Sequence, residues 1–375
     1  LQECMENPNE DERLRALFVE AGNPARSFPD SERLEKDFKN LDLMVVIDIA
    51  MTETCKCVQD SRYQIAFRMM PNDNCEKYSL SYSQKDFYAI VLQGPIRAED
   101  DFTVETIKYY KRAYPQALIV VSTWKDENPS DIKKIQDCGV ELVLCDKPEK
   151  TGSLMVNYQL TNSLAGIKRA EELGAKYIAK TRTDQRVNKA HVFEYLTGLM
   201  DSFPHSNSRK KRIVTLSMNY GNLFYPYLIS DFFYYGATAD MLNLFSIPLD
   251  NRDRVVAIKE LATRREFSEK EIAPEVYIIK EYLRKLGYKC DNSVRDYWNG
   301  VKNEMICVGQ KDLDLIWPKY EDKYRLHHCY GDYYEDDSKE KMKTENFDFV
   351  NWLNLYSGTL EYKSEYEKYA DVVFK

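Results

Sequence analysis

The strongest constraint on the fold is a regular alternation of apolar and helical segments that begins at residue 86. Apolar runs of strand length occur at 87–92, 117–122, 140–145 and 176–181. The intervening segments 103–114, 130–137 and 154–173 repeat their apolar residues with helical spacing. Strands that alternate with helices are typical of a parallel sheet with helices on both faces. The sequence therefore predicts an α/β fold with a mostly parallel sheet flanked by helices.

Further along the chain the pattern is weaker. Residues 213–218 and 228–235 have the composition of strands, and 274–286 has the spacing of a helix that starts with Pro274. We assign residues 86–330 to one catalytic-size domain and residues 331–375 to an acidic and aromatic C-terminal extension.

The N-terminal segment is organised differently. Residues 1–56 contain two strand-like runs, 16–20 and 42–50, around a helical segment at 32–41, so they predict a short βαβ appendage. Residues 57–85 are rich in Asn, Ser, Lys and Asp and lack hydrophobic periodicity, which is typical of a linker.

Charge and cysteine content narrow the functional classes. The formal net charge of −8 argues against nucleic acid as the main partner, because binding to phosphates requires a basic surface. No apolar run approaches the roughly 20 residues that span a bilayer, so no transmembrane segment is expected. Nine scattered cysteines, an odd number, indicate reduced thiols and a cytoplasmic setting.

Polar residues follow the predicted strands at their carboxyl ends. In an open parallel sheet, ligands bind at this edge, where the connecting loops converge. The residues there supply amide, carboxylate and guanidinium groups: Gln93, Gly94 and Pro95, then Asp146, then Arg182, Asp184 and Arg186. Amides and carboxylates can bind a base and ribose, and arginines can bind a diphosphate, so the set predicts a sugar-nucleotide site.

The segment from Lys180 to Arg186 is the most informative of these. If the strand continues, Lys180, Arg182 and Asp184 lie on one face, because side chains alternate along a strand. A carboxylate between cations is suited to a metal-bridged diphosphate. The same arrangement is also typical of a solvated ion-pair cluster at the end of a strand.

A family resemblance covers about residues 86–320. The runs AIVLQGPI, GVELVLCDKP, KYIAKTRTDQR, YLISDFFYYG, PEVYIIKEYLRKLGY and DLDLIWPKY occur in the order seen in WavE lipopolysaccharide-synthesis proteins, which they resemble. The resemblance implies a GT-A-like, Rossmann-like glycosyltransferase. It also implies a nucleotide-sugar donor, a glycan or lipid-linked glycan acceptor, and a location in the cytoplasm or at the inner membrane face.

The resemblance also implies a metal site, from which this chain departs. In GT-A enzymes the strand equivalent to 177–181 ends in Asp-x-Asp, which binds a divalent ion such as Mn²⁺ or Mg²⁺. Here Thr183-Asp184-Gln185 supplies one carboxylate. Two interpretations stay open: Asp184 binds the metal with help from the diphosphate, or Arg182 and Arg186 replace the metal electrostatically.

By the same resemblance, Asn157 and Gln159 lie on a helix beside the nucleotide and Asp146 meets the base or ribose. Glu275 stands where many inverting GT-A enzymes keep their catalytic base, although a Glu at a helix start is also favoured by the helix dipole. Asp231, within an aromatic run, is the second candidate for the catalytic base; the alternative is that it binds the acceptor. If it is buried, it should have a polar partner.

Residues 10–54 separately resemble a short stretch of molybdopterin oxidoreductases, which suggests a chimeric chain. Those enzymes enclose their cofactor with further domains that this chain does not resemble, so no molybdopterin is expected. A fragment of such an oxidoreductase and a non-catalytic sugar-nucleotide-binding or assembly protein are the alternatives to a glycosyltransferase.

Overall fold

The computed structural model describes residues 16–20, 43–47, 87–217, 223–252, 262–318 and 347–372. The chain forms two compact units, Leu1–Pro71 and Asn72–Lys375. In the first unit, β1 (Ala16–Glu20) and β2 (Leu43–Ile47) pair in parallel, as the sequence predicts. The helix predicted between them and the 57–85 linker lie outside the described residues.

The second unit begins with the predicted alternation. Its first elements are β3 (Tyr88–Gln93), α1 (Phe102–Ala113), β4 (Leu118–Trp124), α2 (Pro129–Asp137), β5 (Glu141–Cys145), α3 (Val156–Glu172) and β6 (Tyr177–Arg182). Local chemistry sets some of these bounds. For example, α2 begins after Asn128, whose side chain accepts a hydrogen bond from the Ser130 N–H at 2.9 Å, and Pro129 occupies the first turn.

The remaining elements are shorter and less regular in the sequence. They are β7 (Arg186–Val187), α4 (Val192–Ser202), β8 (Ile213–Ser217), β9 (Tyr234–Ala237), α5 (Thr238–Phe245), α6 (Arg264–Lys270), α7 (Pro274–Lys285), α8 (Val294–Glu304), β10 (Met305–Gly309), α9 (Gln310–Leu313), β11 (Leu315–Ile316), α10 (Phe349–Ser357) and α11 (Glu367–Ala370).

Seven strands form the central sheet in the order β10-β8-β9-β6-β3-β4-β5. Every neighbouring pair is parallel except the two that involve β9, which runs antiparallel to both β8 and β6. The fold is therefore α/β with a mostly parallel sheet, as predicted. A separate antiparallel pair joins β7 to β11.

The position of β9 differs from the sequence-based expectation. A strand was predicted over 228–235, but it begins only at Tyr234, so the prediction was wrong for 228–233. In that segment the backbone forms hydrogen bonds with side chains instead of with a neighbouring strand. The Ser230 carbonyl accepts from Thr215 Oγ1 at 3.1 Å, and the Phe232 N–H donates to Ser230 Oγ at 3.3 Å. The residues of this run are apolar because they are buried, and a buried segment of irregular backbone needs apolar residues as much as a strand does.

Helix α3 packs very closely against the middle of the sheet. A Cβ atom added to Gly166 would lie 2.5 Å from Val91 Cγ1 and 3.1 Å from Ser122 Cβ. Glycine therefore allows α3 to approach β3 and β4, and this approach brings the N-terminal half of α3 over the carboxyl ends of the strands.

At the far edge of the sheet, α10 contacts β10 and α8. Its Trp352 side chain is fully buried, and the helix starts at an Asp348 cap that accepts from the Asn351 N–H at 2.8 Å. Across the described residues, no helix combines the length and apolarity that crossing a membrane requires.

Candidate active site

The loops after β3 and β6 are tied together at the carboxyl edge of the sheet. Gln93 and Arg182 are paired in register, so their side chains lie on the same face. Gly94 has a φ of +116°, a conformation that favours glycine, and a Cβ there would lie 3.3 Å from Thr183 Oγ1. The same hydroxyl donates to the Pro95 carbonyl at 2.5 Å. The Gln93–Pro95 segment, which was predicted to bind the nucleotide sugar, therefore supports the loop that carries Asp184.

Arg182 and Asp184 form an ion pair at this edge. The carboxylate of Asp184 accepts from Arg182 Nε at 2.8 Å and from Arg182 Nη2 at 3.1 Å. It accepts a third hydrogen bond, 3.1 Å long, from the indole Nε1 of Trp317. Burial would raise the pKa of Asp184, but the charge and hydrogen bonds of Arg182, together with Trp317, hold it below its ordinary value. Asp184 is therefore an ionised carboxylate with three donors.

Trp317 completes a clamp around Arg182. The guanidinium lies 5.1 Å from the centre of the indole ring, within the range of a cation–π interaction. The indole in turn contacts Phe232 edge to face at 4.4 Å and is almost fully buried. Trp317 follows β11 and lies 133 residues from Asp184 in the chain. Sequence reasoning missed it, since nothing local links a lone Trp to a distant strand end.

A buried lysine lies one step further into the sheet. Lys180 is fully buried, and its Nζ donates to the main-chain oxygen of Asp231 at 2.7 Å. The ammonium also lies 5.8 Å from the ring centres of Tyr234 and Phe245. Burial lowers the pKa of Lys180 to about 7, although the charge of Asp231 opposes the shift.

The two carboxylates predicted to act in catalysis interact electrostatically with each other and with this lysine. Asp231 reaches the carboxyl edge of β6 because it lies three residues before Tyr234, the first residue of β9, which runs antiparallel to β6. Glu275 is the second residue of α7, after Pro274. Burial, followed by repulsion from Asp231, raises the pKa of Glu275 to about 8, while Arg182 and Lys180 oppose the shift. Their electrostatic coupling joins two parts of the chain far apart in sequence.

Asp231 is held by its backbone, whereas its carboxylate is under-bonded. Gln159 Nε2 donates to its main-chain oxygen at 3.1 Å, the same oxygen that Lys180 contacts. Its Oδ1, however, is buried without a hydrogen-bond partner among the described residues, and so is the Tyr234 hydroxyl. The polar partner expected for a buried Asp231 is therefore an ammonium charge nearby rather than a hydrogen bond to Oδ1. Such under-bonded groups are costly unless the site uses them.

Helix α3 contributes a polar wall to this region. Gln159 faces Asp231, and Asn162 and Ser163 follow one turn later on the same side of the helix. Both side-chain amide atoms of Asn162 and the hydroxyl of Ser163 are buried without partners in the described part of the chain. Sequence reasoning identified Gln159 but missed the other two, although the spacing of 159, 162 and 163 was a readable signal.

Three residues predicted to bind the nucleotide sugar lie outside this cluster of contacts: Arg186, Asp146 and Asn157. Arg186 donates to Thr106 Oγ1 at 3.1 Å, and its guanidinium lies 4.8 Å from the Phe102 ring centre on α1. Asp146 is exposed and pairs with Lys125 at 2.6 Å.

Asn157 joins two loops. Its Nδ2 donates to the carbonyls of Lys150 and Asp250 at 3.0 Å and 2.8 Å, and its Oδ1 accepts from the Asp250 N–H at 2.7 Å. Roles of Asn157, Asp146 and Arg186 in nucleotide binding stay predictions.

The side chains around Asp184 are a poor match for the divalent metal that the resemblance implies. Magnesium and manganese prefer several oxygen ligands, usually more than one carboxylate. Asp184 already accepts three hydrogen bonds, two of them from a cation. Within the described ranges, no group of three or more His, Cys, Asp or Glu side chains is arranged to hold a metal ion.

Solved structures with similar chains are distant. They include the mannose-1-phosphate geranyltransferase of Thermus thermophilus, at 12% identity and TM-score 0.27 over 43% of this chain and 63% of that one. A putative glucose-1-phosphate thymidylyltransferase of Bacillus anthracis, in complex with a sucrose, shows 9% identity and TM-score 0.32 over 60% of this chain and 86% of that one. A glycosyltransferase involved in glycosylation of the major capsid of PBCV-1 shows 12% identity and TM-score 0.27 over 51% and 77%. Among curated proteins, none matches.

The family comparison is much more extensive. Residues 88–373 match the family described as WavE lipopolysaccharide synthesis. The match starts at β3 and runs beyond the predicted end of the resemblance at residue 320, so it includes α10 and α11. It leaves the separate resemblance of residues 10–54 to molybdopterin oxidoreductases without support. Since the match covers most of the sequence, this chain belongs to the WavE lipopolysaccharide-synthesis family.

Proposed function

We propose that this protein is a glycosyltransferase that moves a sugar from a nucleotide-sugar donor to a lipopolysaccharide or other surface-polysaccharide acceptor. One observation carries the proposal: the buried carboxylates of Asp231 and Glu275 interact electrostatically with each other and with Lys180 and Arg182 at the carboxyl edge of β6. A sugar transfer that inverts the anomeric configuration needs these two kinds of group, a base for the acceptor hydroxyl and a cation for the departing diphosphate.

The carboxylate pair supplies the proton acceptor. Transfer forms a bond between the acceptor oxygen and the anomeric carbon, and breaks the bond from that carbon to the diphosphate oxygen. The hydroxyl proton passes to the carboxylate pair of Asp231 and Glu275. A base whose pKa lies near the working pH is most effective, and the raised pKa of Glu275, about 8, meets this requirement.

The ion-paired Arg182 supplies the positive charge for the leaving group. When the bond to the sugar breaks, the nucleoside diphosphate gains negative charge, which a fixed guanidinium stabilises better than mobile water. Gln159 and Lys180 hold the main chain of Asp231 from two sides, so the base and the cation keep a fixed separation.

The acceptor assignment rests on the family. The family is described by its part in lipopolysaccharide synthesis. We propose a glycan or lipid-linked glycan as the acceptor, and the cytoplasm or the inner face of the membrane as the location of the reaction.

A donor screen and two conservative variants test this proposal. Nucleoside phosphate release would be measured from UDP-, GDP-, dTDP- and CMP-sugars with core-oligosaccharide acceptors, for the parent, Glu275→Gln and Asp231→Asn. Glu269→Gln, at an exposed position of α6, is the matched control. We expect turnover by the parent and the control, and a loss of about a hundredfold or more in at least one of the two site variants.

Two results would contradict the proposal. One is normal turnover in both site variants, because then neither carboxylate accepts the proton. The other is the absence of both binding and turnover with every nucleotide sugar in the folded parent, which would favour a non-catalytic assembly role.

A further inference from the structure

The Asp184 carboxylate is already committed to Arg182. Two parallel hydrogen bonds of 2.8 Å and 3.1 Å join the guanidinium to the two carboxylate oxygens. This bidentate arrangement is the strongest that an arginine makes with a carboxylate. A divalent cation on the same carboxylate would lie close to the guanidinium, and the two positive charges would repel each other. Asp184 is therefore better suited to holding a cationic side chain than to holding a metal.

The clamp also fixes the orientation of Arg182. Trp317 donates to Asp184 at 3.1 Å and presents its ring to the guanidinium at 5.1 Å, so Arg182 is held from its edge and from its face. The Arg182 side chain is nevertheless 27% exposed, in contrast to the fully buried Lys180. Arg182 is thus the cation of this cluster that solvent and ligands reach, and it meets them in a fixed orientation.

The other cation considered from the sequence occupies a different environment. The guanidinium of Arg186 lies 4.8 Å and 5.8 Å from the ring centres of Phe102 and Tyr109, and its Nε donates to Thr106. These contacts hold the Arg186 side chain against α1. The positive charge available to an anionic ligand at the carboxyl edge of β6 therefore comes from Arg182.

We infer that this site binds the donor diphosphate without a divalent cation, with Arg182 as the cation and with Asp184 and Trp317 as its positioning residues. The inference rests on the proposed function, and it replaces the metal-bridged arrangement that the resemblance to GT-A enzymes implies. Arg182 bonds directly to the diphosphate oxygens. Asp184 and Trp317 act through Arg182 by keeping its guanidinium in place.

Equilibrium binding in the presence and absence of metal tests the inference. Calorimetry would measure UDP, GDP, CDP and dTDP, with the corresponding nucleosides, against parent protein treated with EDTA and against protein supplied with Mn²⁺ or Mg²⁺. We expect the best diphosphate to bind with the same affinity, within about twofold, under all three conditions. The Arg182→Gln variant should bind that diphosphate about ten- to a hundredfold more weakly, and its affinity for the corresponding nucleoside should be unchanged.

Further variants separate positioning from folding. Asp184→Asn and Trp317→Phe should each weaken binding of the diphosphate severalfold more than binding of the nucleoside. A general loss of structure would not produce this difference. Arg182→Lys keeps the charge but loses the bidentate geometry, and should lie between the parent and Arg182→Gln. Arg169→Ala, at a half-buried arginine near the far end of α3, is the control and should bind like the parent.

The outcomes distinguish the inference from the proposed function. Diphosphate binding that EDTA abolishes and Mn²⁺ or Mg²⁺ restores would overturn metal-free binding but leave glycosyl transfer intact. Equal losses of diphosphate and nucleoside binding in Arg182→Gln would also overturn it. Failure of every nucleotide to bind, under all three conditions, would overturn the proposed function itself.

Discussion

Replacing Glu275→Gln should make the protein more stable at alkaline pH. The side chain is buried, and its pKa rises from an ordinary value of 4.5 to about 8. The folded protein therefore resists ionisation of Glu275, whereas the unfolded chain ionises it readily. Stability is highest while Glu275 is protonated, below about pH 4.5, and is lost as the pH rises through about 8. Glutamine has nearly the same shape and remains neutral throughout.

The magnitude follows from the two pKa values. Between about pH 5 and pH 9, the parent should lose roughly 4 kcal/mol of unfolding free energy through this group, which the variant retains. Near pH 5 the two proteins should be about equally stable, because the parent is then mostly protonated at this position. The variant should therefore gain its advantage only as the pH rises.

Urea unfolding monitored by circular dichroism at several pH values would measure the effect. Glu269→Gln is the control, because its exposed carboxylate should leave the pH dependence unchanged. Parallel pH profiles for the parent and Glu275→Gln would refute the reasoning, since they would show that Glu275 ionises equally well in the folded and unfolded chains. A variant less stable than the parent at about pH 9 would refute it as well.

Three further predictions concern catalysis, packing and the buried lysine. Turnover of the donor should rise with pH toward a plateau above about 8 as Glu275 ionises, and initial rates from about pH 6 to 9 would show this. Gly166→Ala should lower the unfolding free energy of the protein by about 1–3 kcal/mol in urea unfolding, because its Cβ would lie 2.5 Å from Val91. The control is Gly198→Ala on α4, where no atom lies within 4 Å of the added Cβ; it should be neutral or stabilise the protein by up to about 1 kcal/mol. As the pH rises from about 7 to about 10, the parent should gain unfolding free energy relative to Lys180→Met. The lowered pKa makes Lys180 release its proton in the folded protein over this range, whereas the unfolded chain keeps it. The reasoning would be contradicted if the difference in urea midpoint between the two proteins were the same at both ends of that range.

The first half of the sheet could be predicted from the sequence because its signals are local. Strands β3, β4, β5 and β6 are apolar runs separated by helical segments, and both patterns follow from residues close together in the chain. The order of the strands is different in kind. The insertion of β9 between β8 and β6 depends on contacts between distant residues, and periodicity carries no information about them.

The candidate site divides along the same line. Arg182 and Asp184 could be placed by position, because the carboxyl ends of parallel strands share one edge. The hydrogen bond from Trp317 to Asp184 could not be predicted, since the two residues lie 133 apart in the chain. The packing of Arg186 against Phe102 on α1 could not be predicted either, because it also joins residues far apart in the chain.

The reversed direction of β9 has a consequence for how the site assembles during folding. Asp231 reaches the site by entering a strand, whereas Arg182 reaches it by leaving one, so the two groups meet only after β9 has paired with β6. That pairing joins segments about fifty residues apart and is a late, non-local step on general topological grounds. The side chains of Asp231 and Arg182 are therefore absent as a pair from any folding intermediate that lacks β9. A chain that has formed only β3 to β6 holds Arg182 in place but not Asp231, and the two come together when β9 joins the sheet.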